Sequence, residues 1–351
     1  MEKDKQKIVK KVPPTIQLMS TQHDLFSQFF GERSQCSNTI ELWDGVPKYF
    51  VAKQRQDKLR DEKGNLPLLK KEFKYRGVDC RVIIQPVVLE LNDGTDKAYY
   101  PSASEEMLED VLRKFFSERQ LGFHDVTQNE SWVKFSLQMI KKELAGKGKA
   151  RSIAEIKKSL EILSGAVLKL YVNGELIYSS PILSDLTKVT RKGYLEDRSS
   201  HWVARLPALV SKSVNELSYR QYNYAKMMEF KNQASRWFIK RISHHYINAG
   251  IGSQYEFLLS SIVRDSGLFP HSRISNRIIA FEKMLKELNN AHVLNGFSKE
   301  ERRGSRNAIE DVHYKLYAHP EFIKEIKAAN ARKNTASETL QMTMDPVDNL
   351  V

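Results

Sequence analysis

The chain has little of what several protein classes depend on. It contains only two cysteines among 351 residues, Cys36 and Cys80, which are too few for a disulfide framework or for a zinc site made of thiolates. Its longest apolar stretch, 82–91, is interrupted by polar residues and by Pro86, so it is too short to span a bilayer. Disulfide-rich, membrane-spanning, collagen-like and long coiled-coil proteins are therefore excluded.

The N-terminus lacks the pattern of a secretory signal. Residues 1–14 contain five lysines and end in Pro13-Pro14, with no apolar segment among them. A signal peptide needs an apolar segment of about 7–15 residues. We therefore expect a cytoplasmic protein that does not enter a membrane.

Motifs for catalysis are absent as well. There is no G-x-x-x-x-G-K-S/T, no G-x-G-x-x-G and no G-x-S-x-G, and the stretch 146–152 has the wrong spacing for a phosphate loop. His244 and His245 are adjacent on a predicted helix, where their side chains point about 100° apart and cannot easily bind one metal ion. We predict no enzyme, no catalytic residue, no metal and no cofactor.

Positive charge, in contrast, is abundant. Lys and Arg number 56 and Asp and Glu 43, which leaves a formal net charge of +13. An excess of this size predicts a polyanionic partner, in the first place nucleic acid. On charge alone, the ribosome and an acidic membrane surface remain alternatives.

The first half of the chain predicts a strand, three helices and a hairpin. The strand covers 82–89, and the helices cover 103–119, 130–145 and 152–164. Ser102 with Glu105, and Ser152 with Glu155, are the patterns of capping boxes. Asn173-Gly174 then predicts a tight turn between strands 167–172 and 175–178. This order is typical of a winged helix, with the hairpin as its wing.

The second half repeats this order loosely. Helices are predicted over 220–246, from Ser253 to Gly267, and over 272–290. A strand at 292–294, a wing over 296–306 and a return strand over 312–317 follow, and a short helix over 320–331 closes the unit.

The predicted fold is therefore α+β, mainly helical, with two tandem winged-helix domains that carry short β-hairpin wings. The first domain covers 78–190 and is expected to dimerise, to contact the DNA backbone, or both. The second covers 205–330 and is expected to be the main DNA reader. Residues 1–77 form an N-terminal region of uncertain structure, and 331–351 form a flexible tail.

Basic residues cluster around the third helix of each predicted domain. A recognition helix presents its N-terminal residues to base edges while its flanks meet phosphates. In the first domain the candidates are Lys147, Lys149, Arg151, Lys157 and Lys158. In the second domain the helix carries Arg273, Asn276, Arg277 and Lys283. Arg and Asn are the residue types that read guanine and adenine.

The wing of the second domain adds further positive charge. Its basic residues are Lys299, Arg302, Arg303 and Arg306, with Gly304 at the predicted tip. Such a wing suits the minor groove or the DNA backbone. An ordinary solvated helix also shows a charged outer face, but here both third helices precede a hairpin and lie near a basic cluster, which favours DNA binding.

Three stretches resemble bacterial plasmid replication initiators of the RepA kind. They are 152–163 (SIAEIKKSLEIL), 167–174 (VLKLYVNG) and 218–228 (SYRQYNYAKMM), within a similarity that runs from about residue 80 to 325. The resemblance implies two winged-helix domains and monomers that bind direct repeats, or iterons, in double-stranded DNA at a plasmid origin. It further implies opening of a neighbouring AT-rich region, recruitment of the host initiator and replicative helicase, and a homodimer that represses its own gene or holds plasmid copies together.

The resemblance also implies a division of labour between the two helices. The helix with Arg273, Asn276, Arg277 and Lys283 would be the main reader. The helix over 151–164 would read the neighbouring major groove or belong to the dimer surface.

Other functions stay open at this point. A transcriptional regulator with two winged helices would bind a palindromic operator. A structural nucleoprotein would bind duplex DNA without sequence preference, and an enzyme would nick or cleave supercoiled DNA with a divalent metal.

Overall fold

The computed structural model describes residues 35–118, 120–189 and 201–344. Helices account for 42% and strands for 32% of the described residues. The fold is therefore mixed α/β and contains more strand than the mainly helical fold that the sequence predicts. Within the described ranges, no helix combines the length and the apolar character needed to cross a bilayer.

The helices and strands follow one another along the chain. The helices are α1 (Glu41–Gly45), α2 (Lys53–Leu59), α3 (Ala103–Phe116), α4 (Leu137–Gly146), α5 (Ile153–Gly165), α6 (Ala208–Asn215), α7 (Tyr224–Glu229), α8 (Gln233–His245), α9 (Leu259–Ser266), α10 (Ile274–Asn290) and α11 (Pro320–Met344). The strands are β1 (Cys36–Ile40), β2 (Leu69–Tyr75), β3 (Val78–Gln85), β4 (Val87–Glu90), β5 (Asp96–Tyr99), β6 (Gly122–Asp125), β7 (Glu130–Ser136), β8 (Val167–Val172), β9 (Glu175–Pro181), β10 (Ser184–Val189), β11 (His201–Arg205), β12 (Tyr219–Asn223), β13 (Gln254–Leu258), β14 (Leu294–Arg303) and β15 (Ile309–Ala318).

One arrangement of helices and strands occurs twice. In the first series, α3, β7, α4 and α5 are followed by the hairpin β10–β11, and β11 pairs antiparallel with β7. In the second series, α8, β13, α9 and α10 are followed by the hairpin β14–β15, and β15 pairs antiparallel with β13. In both sheets, the strand before the second helix lies beside the second strand of the hairpin. Helices α5 and α10 therefore occupy equivalent places.

The Asn173-Gly174 hairpin forms as predicted, but it is not the hairpin of the first series. Both turn residues have positive φ, and β8 pairs with β9 across them. On its other side β8 pairs with β3, in a sheet of order β2-β3-β8-β9. The apolar residues of β3 and β8 bury one face together, which holds this hairpin away from β7. The hairpin β10–β11 takes its place beside β7.

Three segments predicted as helix contain strands instead. They are β7 within 130–145, β12 within 220–246 and β13 at the start of the helix predicted from Ser253. In β7, burial alternates at Ser131, Val133 and Phe135, which is the period of a strand. β12 and β13 pair with strands that are remote in sequence, and β7 pairs with the remote β11 as well as with the neighbouring β6. Sheet pairing therefore overrides the helical spacing of the apolar residues.

The predicted domain limits meet continuous structure at both ends. The limit between residues 77 and 78 falls in the turn of the hairpin β2–β3, and β1 pairs with β12 of the second half. At the C-terminus, α11 continues through Met344, beyond the tail predicted from 331. Ala329 and Ala336 of this helix are buried, which explains why it continues.

Helix α3 lies in the middle of the protein and connects the two series. All its residues from Glu105 to Phe116 are buried. Lys240 Nζ of α8 lies 2.6 Å from Asp110 Oδ1 of α3, and Arg236 Nη2 of α8 lies 3.1 Å from Glu106 Oε2. These ion pairs are almost inaccessible to water, so they hold α3 and α8 in a defined relation. That relation sets where α5 and α10 lie relative to each other.

Candidate nucleic-acid interface

Helix α10 separates a buried face from a polar face. Its buried side chains are Ile278, Phe281, Met284, Leu285 and Leu288. At 100° per residue, the positions within about 80° on the opposite side are Asn276, Ile279, Lys283, Lys286 and the last residue, Asn290, all of them exposed. The polar face thus combines two amides, one large apolar side chain and two cations.

The two arginines predicted at the start of α10 differ in their surroundings. Arg273 is the N-cap residue and is exposed. Arg277 is half-buried, and its Nε donates to the carbonyl oxygen of His271 at 2.5 Å. Arg273 is therefore available to a ligand. The side chain of Arg277 instead stabilises the turn that precedes the helix.

The hairpin β14–β15 carries its basic residues toward the tip. Lys299 lies 2.7 Å from Glu282 of α10, and this ion pair ties the hairpin to the helix. Arg303 pairs with Glu301 and donates to the carbonyl oxygen of Asn307 at 2.8 Å. Their positive charge is therefore partly neutralised within the protein.

Two arginines of this hairpin are free of acidic partners. Arg302 and Arg306 are exposed, and neither forms an ion pair within the described part of the chain. Arg306 adopts φ 65 in the short 3₁₀ turn Ser305–Asn307 at the tip. The tip therefore presents two arginines that can meet phosphate.

The basic residues of the first series surround the start of α5. The predicted capping box is confirmed, since Glu155 N donates to Ser152 Oγ at 3.2 Å and Ser152 N donates to Glu155 Oε2 at 2.8 Å. Lys157 is exposed, and Lys158 Nζ lies 4.0 Å from the centre of the Tyr99 ring. Lys147 and Arg151 are half-buried at the turn before the helix. The charges of this cluster thus differ in how far they reach into solvent.

Lys149 belongs to the junction between the two series. Its Nζ donates to the carbonyl oxygen of Phe230 at 3.0 Å. Burial lowers the pKa of Lys149, and Arg236 and Lys231 lower it further, while Glu287 of α10 raises it. Lys231 N in turn donates to Glu287 Oε1 at 2.8 Å, so residues 230 and 231 link the turn before α5 to the C-terminal part of α10.

We group residues of the two predicted clusters with Lys231 and Lys286 and call this group the basic surface. It is defined as Lys147, Lys149, Arg151, Lys157, Lys231, Arg273, Asn276, Ile279, Lys283 and Lys286. Lys231 is exposed beside Lys149, and no pattern in the sequence indicated its place. Lys286 follows Ile279 by seven positions on the polar face of α10, and that helical spacing could have identified it.

Helix α2 adds basic residues that the sequence analysis left without a function. Hydrogen bonds from Ser152 lower the pKa of Glu155, and Lys53 of α2 is among the charges that lower it further. Lys53, Arg55 and Lys58 are all exposed. The signal was present in the sequence, where 53–76 is rich in Lys and Arg, but only the fold brings α2 beside the start of α5.

His244 and His245 lie at the C-terminal end of α8. Burial lowers the pKa of His244 to about 4, although Glu41 and Asp44 lie close enough to favour its charged form. His245 Nε2 lies 3.8 Å from Glu41 Oε1. Among the described residues, no group of three His, Cys, Asp or Glu side chains is placed to hold a metal ion.

Comparison with known proteins gives structural matches only. No protein-family model matches the chain, and no curated protein matches it in sequence. Similar solved structures include two of domains 2 and 3 of RctB. The first has a TM-score of 0.47 and 8% identity and covers 79% of this chain and 97% of that one. The second has a TM-score of 0.43 and 10% identity and covers 77% and 97%.

A third similar structure is that of the Pi initiator protein in complex with iteron DNA. Its TM-score is 0.35 at 8% identity, and the match covers 82% of this chain and 99% of that one. This third protein is named as an initiator, which is the kind of protein that the sequence resemblance names.

Proposed function

We propose that this chain is a sequence-specific double-stranded DNA-binding protein that initiates plasmid replication by binding repeats at the origin. The support comes from the chain's own surface. Helices α5 and α10 occupy equivalent places in two series of the same topology, and both begin or end on the basic surface. In this proposal each series is a winged helix, and α5 and α10 are its recognition helices.

One observation favours reading of sequence over simple attraction to phosphate. The polar face of α10 carries Asn276 and Ile279 on the N-terminal side of its two lysines. Neither side chain is charged, so neither can contribute to counterion release. Asn pairs bidentately with adenine in the major groove, and apolar side chains contact the thymine methyl group. A surface that bound any duplex through charge alone would need neither of them.

Helices α5 and α10 belong to one chain and to units that are connected by buried ion pairs, which favours direct repeats over a palindrome as the target. A single chain carries two different recognition helices, and the buried pairs Lys240–Asp110 and Arg236–Glu106 connect their units. One monomer therefore contacts an asymmetric site, and several monomers in a row require direct repeats. A palindrome requires a twofold dimer, which is the prediction of the alternative function, a winged-helix transcriptional regulator.

The remaining parts of the proposal follow from the sequence resemblance. They are a cytoplasmic location, recruitment of the host initiator and replicative helicase, and a homodimer in one state. The hairpin β14–β15, with Arg302 and Arg306 at its tip, is the proposed contact to the backbone or minor groove.

Selection of bound duplexes from a random pool, at about 150 mM salt, tests this function. We expect one asymmetric motif of roughly 15–22 base pairs, because two recognition helices would occupy successive turns of the major groove. A palindrome would favour the regulator. No enriched motif, together with binding that disappears as salt rises, would contradict sequence reading.

Three substitutions then separate base reading from backbone contact. Asn276→Ala should cost about 1–3 kcal/mol at one base pair and relax the preference there. Arg302→Ala should weaken binding to all sequences about equally. Lys327→Ala removes an exposed lysine of α11, remote from the tip of the hairpin, and should leave binding unchanged.

A further inference from the structure

Ile279 is an unusual residue for the place it occupies on α10. Its side chain is 66% exposed, although the buried face of the helix is complete without it. It lies between Asn276 and Lys283 on the polar face, within an arc of about 60°. A single exposed isoleucine is ordinary on a protein surface, but this one lies in the middle of the proposed reading face.

The helix geometry places Ile279 close to the base pair that Asn276 would read. With a rise of about 1.5 Å per residue, Ile279 lies about 4.5 Å along the axis from Asn276 and about 6 Å from Lys283. Base pairs are about 3.4 Å apart along one strand. For a helix that lies along the major groove, Ile279 therefore meets the edge of a base pair one or two steps from that of Asn276.

The chemistry of the major groove leaves one partner for such a side chain. Of the groups that distinguish the base pairs there, only the 5-methyl group of thymine is apolar, and the others are hydrogen-bond donors and acceptors. An isoleucine against a polar base edge would remove water from donors and acceptors without replacing their hydrogen bonds, which is unfavourable. Against a thymine methyl group, the same side chain buries apolar surface on both partners.

We infer, on the basis of the proposed function, that Ile279 determines specificity by contacting the 5-methyl group of a thymine. This thymine lies one or two base pairs from the adenine that Asn276 reads. The contact with the methyl group favours binding to thymine. At a G·C pair, the same side chain would leave donors and acceptors of the base edge without hydrogen-bond partners, which disfavours binding to that sequence.

Deoxyuridine tests this inference because it differs from thymidine by the methyl group alone. In the duplex enriched by selection, each thymine is replaced singly by uracil, and the affinity of the wild-type chain is measured. Loss of one buried methyl group corresponds to about a fourfold loss of affinity. We expect this loss at one thymine near the position that responds to Asn276→Ala.

The same set of uracil-substituted duplexes is then measured with Ile279→Ala, which completes a double-mutant cycle between the side chain and the methyl group. This variant should bind the thymine duplex several-fold more weakly and should be insensitive to uracil at that position. Because Ile279 is mostly exposed, its thermal unfolding should match that of the wild type. Ile251→Ala is the matched control, since Ile251 is 96% exposed in the loop between α8 and β13, and its sensitivity to uracil should equal that of the wild type.

The outcomes distinguish the inference from the proposed function. An enriched motif with the same uracil sensitivity in wild type and Ile279→Ala would overturn the role of Ile279 and leave sequence reading intact. Absence of any enriched motif would overturn the proposed function and the role of Ile279 with it.

Discussion

Lys240 and Asp110 provide the most direct test of how the two series are joined. Lys240 Nζ lies 2.6 Å and 2.8 Å from the two carboxylate oxygens of Asp110, and the side chains are 7% and 2% exposed. In Lys240→Met the carboxylate of Asp110 stays buried near Glu106, Glu109 and Asp44. Removal of one partner of such a pair costs about 3–5 kcal/mol of unfolding free energy.

The pH dependence of this cost has a defined sign. Burial raises the pKa of Asp110 to about 6, although Lys240 favours the charged form. A carboxyl group whose pKa is raised by folding stabilises the protein below its unfolded pKa near 3.8 and loses that contribution as pH rises through about 6. Without Lys240 the pKa of Asp110 rises further, so the cost of Lys240→Met should be smaller at pH 5 than at pH 7.5.

Chemical denaturation at these two pH values measures the effect. The double variant Lys240→Met/Asp110→Leu should recover most of the lost stability, because no buried charge remains unpaired. Lys226→Met is the control. Its ammonium group lies 3.2 Å from Glu325, which is partly exposed, and its loss should cost about 1 kcal/mol or less. A double variant as unstable as Lys240→Met would refute the reasoning.

Substitutions at three further positions test local features by the same assay. Ser152→Ala removes the cap of α5 and should cost about 1 kcal/mol, whereas Ser152→Thr should retain most of it. Gly165→Ala would place a Cβ 2.3 Å from Cγ2 of Val87 and should cost about 1–3 kcal/mol; an unchanged midpoint would contradict this packing. Burial lowers the pKa of His244 to about 4, so neutral His244 contributes stability above pH 6.5 that is lost as pH falls through 4. In His244→Asn, stability should therefore fall less steeply between pH 6.5 and 4.

Signals that act within a few residues predicted local structure well. The capping boxes at Ser102 and Ser152 are both present, and α9 ends at Gly267 in the left-handed conformation. The amphipathic stripe of 272–290 became α10 with only its first two residues outside the helix. In each case the interaction that stabilises the structure involves residues of the same turn or helix, so the sequence contains both partners side by side.

Strands were harder to predict because their partners lie far away in the chain. β12 reads as helix from the spacing of its aromatic residues, but it pairs with β1, about 180 residues earlier. The Asn173-Gly174 turn was predicted correctly, but the sheet to which its hairpin belongs was not. The turn specifies that β8 pairs with β9, but it does not specify which strand pairs with the other edge of β8. That strand is β3, because the pairing buries its apolar face.

Three parts of the candidate site could be predicted from composition and local pattern: the basic excess, the third helix of each series and the residues on their polar faces. Those follow from composition and helical period, which are properties of the chain alone. The tertiary structure decided how they combine. Lys149 is held by the carbonyl oxygen of Phe230, Lys231 joins the basic surface, and α2 lies beside the start of α5. These arrangements bring together residues that are remote in sequence, which no local pattern specifies.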